Sequence, residues 1–469
     1  MKNKRSTSMM KIAALGASVA AALSGVAACG DTESSDPNKI TFWFWGSPAE
    51  VAVYEQLIAQ YEDEHPGVTV APTHYESSIY MGKFQAERKK PDVFFMPDTD
   101  FAAWADAGVM LDLDGSVSEA ELNAVWPAAI NEYRYDAQTK SLGSGSLYGF
   151  PKDLGPVCLT YNKKLLEKQI DKNGLDRADV YELLDPTDPM TWDEFRGLLK
   201  DLTRGETDLY GIPYYEMDAA LYSNAANYFT DDASEQRIDD NFIDAVVFNI
   251  QLATVDKVMP SADMSGATDA YTRFFNGKTI FTWMGPWDNA DFWNYDIEYD
   301  ICPVPYNGKN PDAQSVTFAG SMCYGVSAKT KKRDVAVDFA KWLSMSESCQ
   351  RKALELGQQV PNLMDMAKTD FISAEWKVQP EHRSLFVDVI DGNTNSIGLY
   401  ESAADDRISS KTRPLYYTYD GTWKDNLLSY LAEEDLWRAT DAALIKTKLE
   451  AYRNDLQNDL DIMNERWKG

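Results

Sequence analysis

ITFWFWGSPAEVAVYEQLIAQYEDEHPGVTV, residues Ile40 to Val70, passes from an apolar run through a turn into a helical pattern. Ile40 to Trp45 reads as a strand, because aromatic and β-branched residues dominate it. Gly46 turns the chain. Ser47 suits the N-cap of the helix that follows, and Pro48 suits its first position, where no amide hydrogen is needed. Tyr54, Leu57, Ile58 and Tyr61 recur at helical spacing and predict one apolar face. His65 and Pro66 end the helix, since the residue before a proline is pushed out of the α region, and a second strand starts at Val68. The order strand, helix, strand predicts a β-α-β unit. Trp45 and Ser47, at the C-terminal edge of its first strand, then lie where open α/β sheets take ligands.

Upstream, Lys2, Lys4, Arg5 and Lys11 precede an apolar segment, Ile12 to Leu23, that is too short to span a bilayer. Residues 1–28 therefore read as an export signal. Val26, Ala27, Ala28 and Cys29 have the form of a bacterial lipobox, which makes Cys29 the acylated first mature residue and places the protein on the extracytoplasmic face of the cell membrane. The alternative is an ordinary signal peptide with an accidental cysteine. Residues 29–38 are polar and turn-rich, as a tether would be.

A chain of 469 residues exceeds the roughly 250 to 300 that one core supports, so two domains are expected. The formal net charge is −29, and the leader contributes only positive charge, so the exported body is more acidic still. That argues against nucleic acid or an anionic lipid surface as a partner, and leaves cationic ligands such as polyamines open. Cys158, Cys302, Cys323 and Cys349 are scattered, with no CxxC pair and no histidine at ligand spacing. Neither a metal site nor another cofactor is expected. Cys158 and Cys323 lie in apolar runs and read as buried thiols, and one disulfide is allowed in an exported protein.

Downstream, PDVFFMPD at Pro91 to Asp98 repeats the strand-and-turn logic, with Gly108 closing a short helix. Asp98 and Thr99 suit hydroxyl recognition at the strand end or helix capping. YGFPKD, Tyr148 to Asp153, leads an extended segment into LTYNKKLLEK. Thr191 with Glu194 forms a capping box, and Ser344 with Glu347 has the same spacing. Tyr210 to Tyr222 is aromatic-rich around Glu216. FFNGKTIFTWMGPWDNADF, Phe274 to Phe292, reads as a buried strand stopped by Gly285 and Pro286. Trp287 follows, with Asp288, Asn289 and Asp291 supplying polar groups beside it. A flat aromatic next to hydrogen-bonding groups suits a ligand that is apolar on one face and hydroxylated at its edge, as sugars are. Gly320 and Ser321 read as small residues preceding a strand. Trp423 stands near a helix start, and Leu449, Tyr452, Leu456, Leu460 and Met463 stripe the last helix.

These blocks, in this order behind a lipobox, resemble the family 1 extracellular solute-binding proteins, the capture subunits of bacterial ABC importers related to maltose-binding protein. The resemblance rests on ITFWFW with HPGVTV, PDVFFMPD with AGVMLDLD, YGFPKD with LTYNKKLLEK, TWDEF, FFNGKTIFTWMGPW, and FAGSMCYGVS followed by DVAVDFAKWLSMSE. It implies an α/β, two-lobed, periplasmic-binding-protein type II-like fold, with discontinuous lobes joined by a hinge. Lobe one is expected at 39–153 and 302–350, and lobe two at 154–301 and 351–469. The resemblance also implies a noncatalytic monomer that closes on an oligosaccharide and delivers it to the importer's transmembrane subunits. It places Trp45, Ser47, Asp98, Thr99, Asp153, Tyr215, Glu216, Trp287, Gly320, Ser321 and Trp423 toward the cleft. Where maltose-binding members carry a charged pair after their second strand, this chain has Thr99 and Asp100, a departure that argues against a maltose-type ligand. Two other readings stay open: a polyamine or peptide receptor, and an exported glycoside-acting enzyme using two of Asp98, Asp153 and Glu216.

Overall fold

The computed structural model describes residues 36–468 apart from 231–233, 266, 379, 392–396 and 401–422, so Cys29 and the export signal lie outside the described residues. Strand β1 (Lys39–Trp45) leads through Ser47 into helix α1 (Pro48–Glu64), whose N-terminus carries a full capping box between Ser47 and Glu50. Its buried residues include Tyr54, Leu57, Ile58 and Tyr61, as the spacing predicts. Strand β2 (Thr69–Tyr75) then pairs in parallel with β1. After helix α2 (Ser77–Ala86), β3 (Val93–Pro97) pairs in parallel on the other side of β1. Helix α3 (Asp98–Asp106) follows directly, with Gly108 in the left-handed region just past its end.

Three short strands, β4 (Arg134–Asp136), β5 (Ser141–Leu142) and β6 (Ser146–Leu147), form a small separate sheet. Strand β7 (Gly149–Pro156) is buried along its whole length and continues almost at once as β8 (Cys158–Asn162). Strands β9 (Phe281–Met284) and β10 (Tyr299–Cys302) pair antiparallel on either side of β8. The long β11 (Ser315–Val326) pairs with β7 and β3, and its first residues pair with β12 (Ile397–Tyr400). Gly320 and Ser321 therefore sit inside a strand rather than before one. The apolar run that predicted the strand is only the second half of β11.

Two hydrophobic cores result. The first joins Phe42, Phe95, Tyr324 and Phe339, with Phe42 edge-on to Phe95 at 5.7 Å and to Phe339 at 5.4 Å. The second gathers Tyr161, Phe195, Tyr215 and Trp283, and Trp192 stacks on Phe248 at 4.2 Å. Leu449, Tyr452, Leu456 and Leu460 of the last helix seal it. Along β7 and β8 the side chains pass from the first core to the second between Leu154 and Leu159, with Val157 in the second core and Cys158 still in the first, and along β11 they change between Val316 and Ala319. Gly155 pairs with Gly320 across the ladder at that change.

The Ser344 and Glu347 capping box does not form. Ser344 lies inside helix Arg333–Met345 and its hydroxyl donates to the Pro151 carbonyl at 2.5 Å, while Ser346 takes the N-cap position of the next helix. Cys158, Cys302, Cys323 and Cys349 are all free, buried thiols.

Candidate functional site

The crossing of β7 and β11 is built of bare backbone for a reason. A Cβ on Gly155 or on Gly285 would collide with the Trp287 ring, and one on Gly320 would come within 2.8 Å of it. Trp287, in the single 3-10 turn Pro286–Asp288 after β9, thus lies against a glycine pair where the two cores meet, and stays only partly buried. Any larger residue at those positions would lift the ring away.

Two further aromatic residues near Asp288 keep part of their surface open. Tyr214 is 37 % exposed and Tyr271 is 41 % exposed. The Tyr271 hydroxyl donates to Asp288 Oδ1 at 3.1 Å, and the Trp283 indole donates to the Tyr214 carbonyl at 3.2 Å, which fixes that segment. Asp288 itself is buried, and its Oδ2 accepts from the Gly285 amide at 2.9 Å. Burial pushes its carboxyl well above the ordinary carboxylate range, against the pull of that amide. Burial likewise raises the hydroxyls of Tyr214 and Tyr271, which also feel nearby carboxylates.

From the first core, Glu50 reaches the same region. Its Oε2 accepts from the Ser47 amide at 2.9 Å and its Oε1 from the Gln358 amide at 3.1 Å. Burial raises its pKa, opposed by the charge of Lys152. Asp291 is raised by burial too, opposed by a hydrogen bond with the Ser47 side chain. Ser47 therefore caps α1 and ties it to the segment after Trp287.

Of the residues singled out in the sequence, Ser47, Trp287 and Gly320 come together at this crossing. Trp45 packs on Tyr80 at 4.6 Å at the end of β1, partly exposed. Asp98 and Thr99 form the first turn of α3, where Asp98 Oδ1 accepts from the Thr99 amide at 2.7 Å. Asp153 is buried and bound to Lys152 at 2.5 Å, inside β7. The Ser321 hydroxyl is taken up by Tyr133 at 2.6 Å and the Asp153 carbonyl at 2.8 Å. Glu216 pairs with Lys424 at 3.3 Å. Tyr215 and Trp423, expected at a ligand surface, lie in the second core. Tyr215 points its hydroxyl at the Pro305 carbonyl at 3.3 Å, and Trp423 packs edge-on to Phe229.

Sequence reasoning missed Glu50, Tyr214 and Tyr271. Glu50 was hidden by its own capping box. Tyr214 adjoins Tyr215 in an extended segment, where neighbours face opposite sides, so only the period-two parity distinguishes them. Tyr271 has no local signal beyond standing three residues before Phe274.

A family model described as "Bacterial extracellular solute-binding protein" matches residues 45–347. A multiple sugar-binding protein of Streptococcus mutans is 22 % identical over 348 residues, covering 70 % of this chain and 76 % of the relative. A galactooligosaccharide-binding protein of Bacillus subtilis is 25 % identical over 353 residues, covering 73 % and 78 %. Among solved structures, an ABC substrate-binding protein of Listeria monocytogenes in complex with cycloalternan superposes with a TM-score of 0.67 at 18 % identity, over 91 % of this chain and 98 % of that one. The fold is thus the two-lobed one of periplasmic binding proteins.

Proposed function

Because the chain belongs to the bacterial extracellular solute-binding proteins, we propose that it captures a carbohydrate of two or more units between its lobes and passes it unaltered to the membrane subunits of an ABC importer. The observation that carries this reading is the set of partly open rings, Trp287, Tyr214 and Tyr271, grouped around buried Asp288 at the glycine crossing. Such rings stack on the C–H face of a pyranose, while carboxylates accept from its hydroxyls. A wrong epimer leaves one of those groups unpaired, at about 1 to 3 kcal/mol each. That two relatives are named for sugar and galactooligosaccharide binding supports the ligand class.

In this reading the lobes turn about the β7–β11 crossing, and Ser47 with Asp291 is one of the contacts made on closure. Lobe one is taken as 39–153 and 302–350 and lobe two as 154–301 and 351–469, with the return crossing moved to near Gly320 and the buried residues from Leu354 to Val389 moved to lobe one, since they pack in the first core. Acylation at Cys29 would hold the monomeric protein on the outer face of the membrane, and replacing Cys29 by Ala should release it to the medium.

The test is a tryptophan-fluorescence titration of the chain from Gly30 onward against oligosaccharides, monosaccharides and polyamines. Saturable binding of one oligosaccharide class without its breakdown, lost in Trp287→Ala while the thermal melt is kept, is the expected result. Hydrolysis that disappears in Asp153→Asn or Glu216→Gln would replace the receptor with an enzyme.

A further inference from the structure

We propose that the ligand carries an ammonium group, as an amino sugar does, and that this group sits where Glu50 of one lobe meets Asp288 and Asp291 of the other. The inference rests on the sugar-binding reading and narrows it to a cationic class.

The first support is charge balance. Glu50, Asp288 and Asp291 have no ion-pair partner among the described residues. They accept only from uncharged groups: the Ser47 and Gly285 amides, the Gln358 side chain, and the hydroxyls of Tyr271 and Ser47. The cations nearby are taken. Lys152, almost fully buried, is bound to Asp153 at 2.5 Å, and Lys424 is shared by Glu216 at 3.3 Å and Asp218 at 3.5 Å. Asp288 feels the charges of both Glu50 and Asp291. A buried carboxylate, Asp288, beside two half-buried ones, Glu50 and Asp291, is unfavourable in its charged form unless a cation arrives to neutralise it.

The second support is independent of charge. Gln358 is fully buried, its amide nitrogen is spent on Glu50, and its Oε1 has no donor. The lobe contact is therefore rich in acceptors and short of donors. A neutral hydroxyl supplies one donor and no charge, whereas an ammonium supplies three donors and the missing charge together. The open rings of Trp287, Tyr214 and Tyr271 suit a cation as well, through their π faces.

Binding should also move protons. Burial holds Glu50, Asp288 and Asp291 above their ordinary values, opposed at Glu50 by Lys152 and aggravated there by Asp153. An incoming ammonium favours the ionised forms, so protons are released and affinity rises with pH until the amine itself deprotonates.

The experiment is calorimetric titration of the chain from Gly30 onward with gluco- and galacto-configured di- and trisaccharides. Each is offered as the 2-hydroxyl, 2-acetamido and 2-amino form, with spermidine alongside, in two buffers of different ionisation enthalpy. The amino form should bind about tenfold or more tightly than its neutral counterparts, as a charge-assisted hydrogen bond predicts, and release protons. In Glu50→Gln and Asp288→Asn the ratio of amino-form to neutral-form affinity should fall toward one, and the proton release should vanish with it. A neutral form that binds as tightly as the amino form, with no proton released, overturns the ammonium proposal and leaves the sugar reading standing. Spermidine binding without any sugar binding overturns the sugar reading, and binding by none of them overturns both.

Discussion

Two buried aspartates show how differently this chain treats negative charge. Asp256, whose side chain is 1 % exposed, stands just past helix Asp240–Thr254 and meets Arg196 at 2.5 Å and Lys200 at 2.6 Å. Asp288, 5 % exposed, meets an amide and a phenol and, among the described residues, no cation. Arg196 and Lys200 come from successive turns of one helix, Trp192–Leu202, so the scaffold delivers both cations at no topological cost. At the lobe crossing β7 delivers one buried cation, Lys152, and Asp153 takes it. Asp256 is neutralised by the fold, and under the ammonium proposal Asp288 is left for the ligand.

The comparison breaks most visibly at Arg196. Arg196→Ala leaves Asp256 with Lys200 alone, and denaturant unfolding should show a loss of about 2 kcal/mol, less than for a wholly buried pair because Arg196 is itself partly exposed. Ligand affinity should not move. Unchanged stability would mean that Asp256 needs only one cation, and the contrast with Asp288 would weaken.

Asp288→Asn should act in the opposite direction, raising stability near neutral pH by about 1 kcal/mol while lowering affinity, as expected of a group kept for function. The sign follows from linkage. Asp288 has a folded value above its unfolded one, so its favourable contribution is complete below the unfolded value, near about 4, and is lost as pH rises through the folded value. The advantage of Asp288→Asn over the native chain should therefore shrink as the pH is lowered toward that value. Glu121 runs the other way. The Ser118 amide and Lys341 hold it down at about 2, so its contribution persists in mild acid and fades only as pH falls toward that value. If Asp288→Asn destabilises at neutral pH, Asp288 is a scaffold group like Asp256.

Most of the fold was legible because most of it is local. The β1, α1 and β2 unit follows from a cap, a proline and a periodic stripe, each readable within a few residues. What failed was nonlocal. The spacing from Ser344 to Glu347 matches a capping box, yet Ser344 is held inside its helix, where its hydroxyl binds a carbonyl of β7 nearly two hundred positions earlier. Gly320 was read as a residue before a strand because the apolar run taken as the strand starts only at Met322, whereas pairing of Ser315 to Phe318 with β12 and of Ala319 to Gly325 with β7 extends it upstream. The site suffered in the same way. Asp288 and Asp291 were visible beside Trp287, but Glu50 belongs with them only because the lobes bring α1 against the segment after β9.

The smallest expected effects come from the two adjacent tyrosines, and they separate surface from scaffold most cleanly. Tyr215 is 3 % exposed and lies among Phe195, Phe248 and Trp283, with its hydroxyl on the Pro305 carbonyl. Tyr215→Phe removes that one hydrogen bond from a packed ring, so it should lower stability by about 1 kcal/mol and leave affinity alone. Tyr214 is 37 % exposed, with its carbonyl held by the Trp283 indole and its hydroxyl by Glu216. Tyr214→Ala should hardly shift the melt, yet reduce affinity by about tenfold, the scale of one aromatic contact. The two measurements on each variant cross over if the parity of this extended segment is as described. If instead Tyr215→Phe lowers affinity and Tyr214→Ala lowers stability, the open face of the second lobe lies one residue further along, and Asp288 loses its claim to border the ligand.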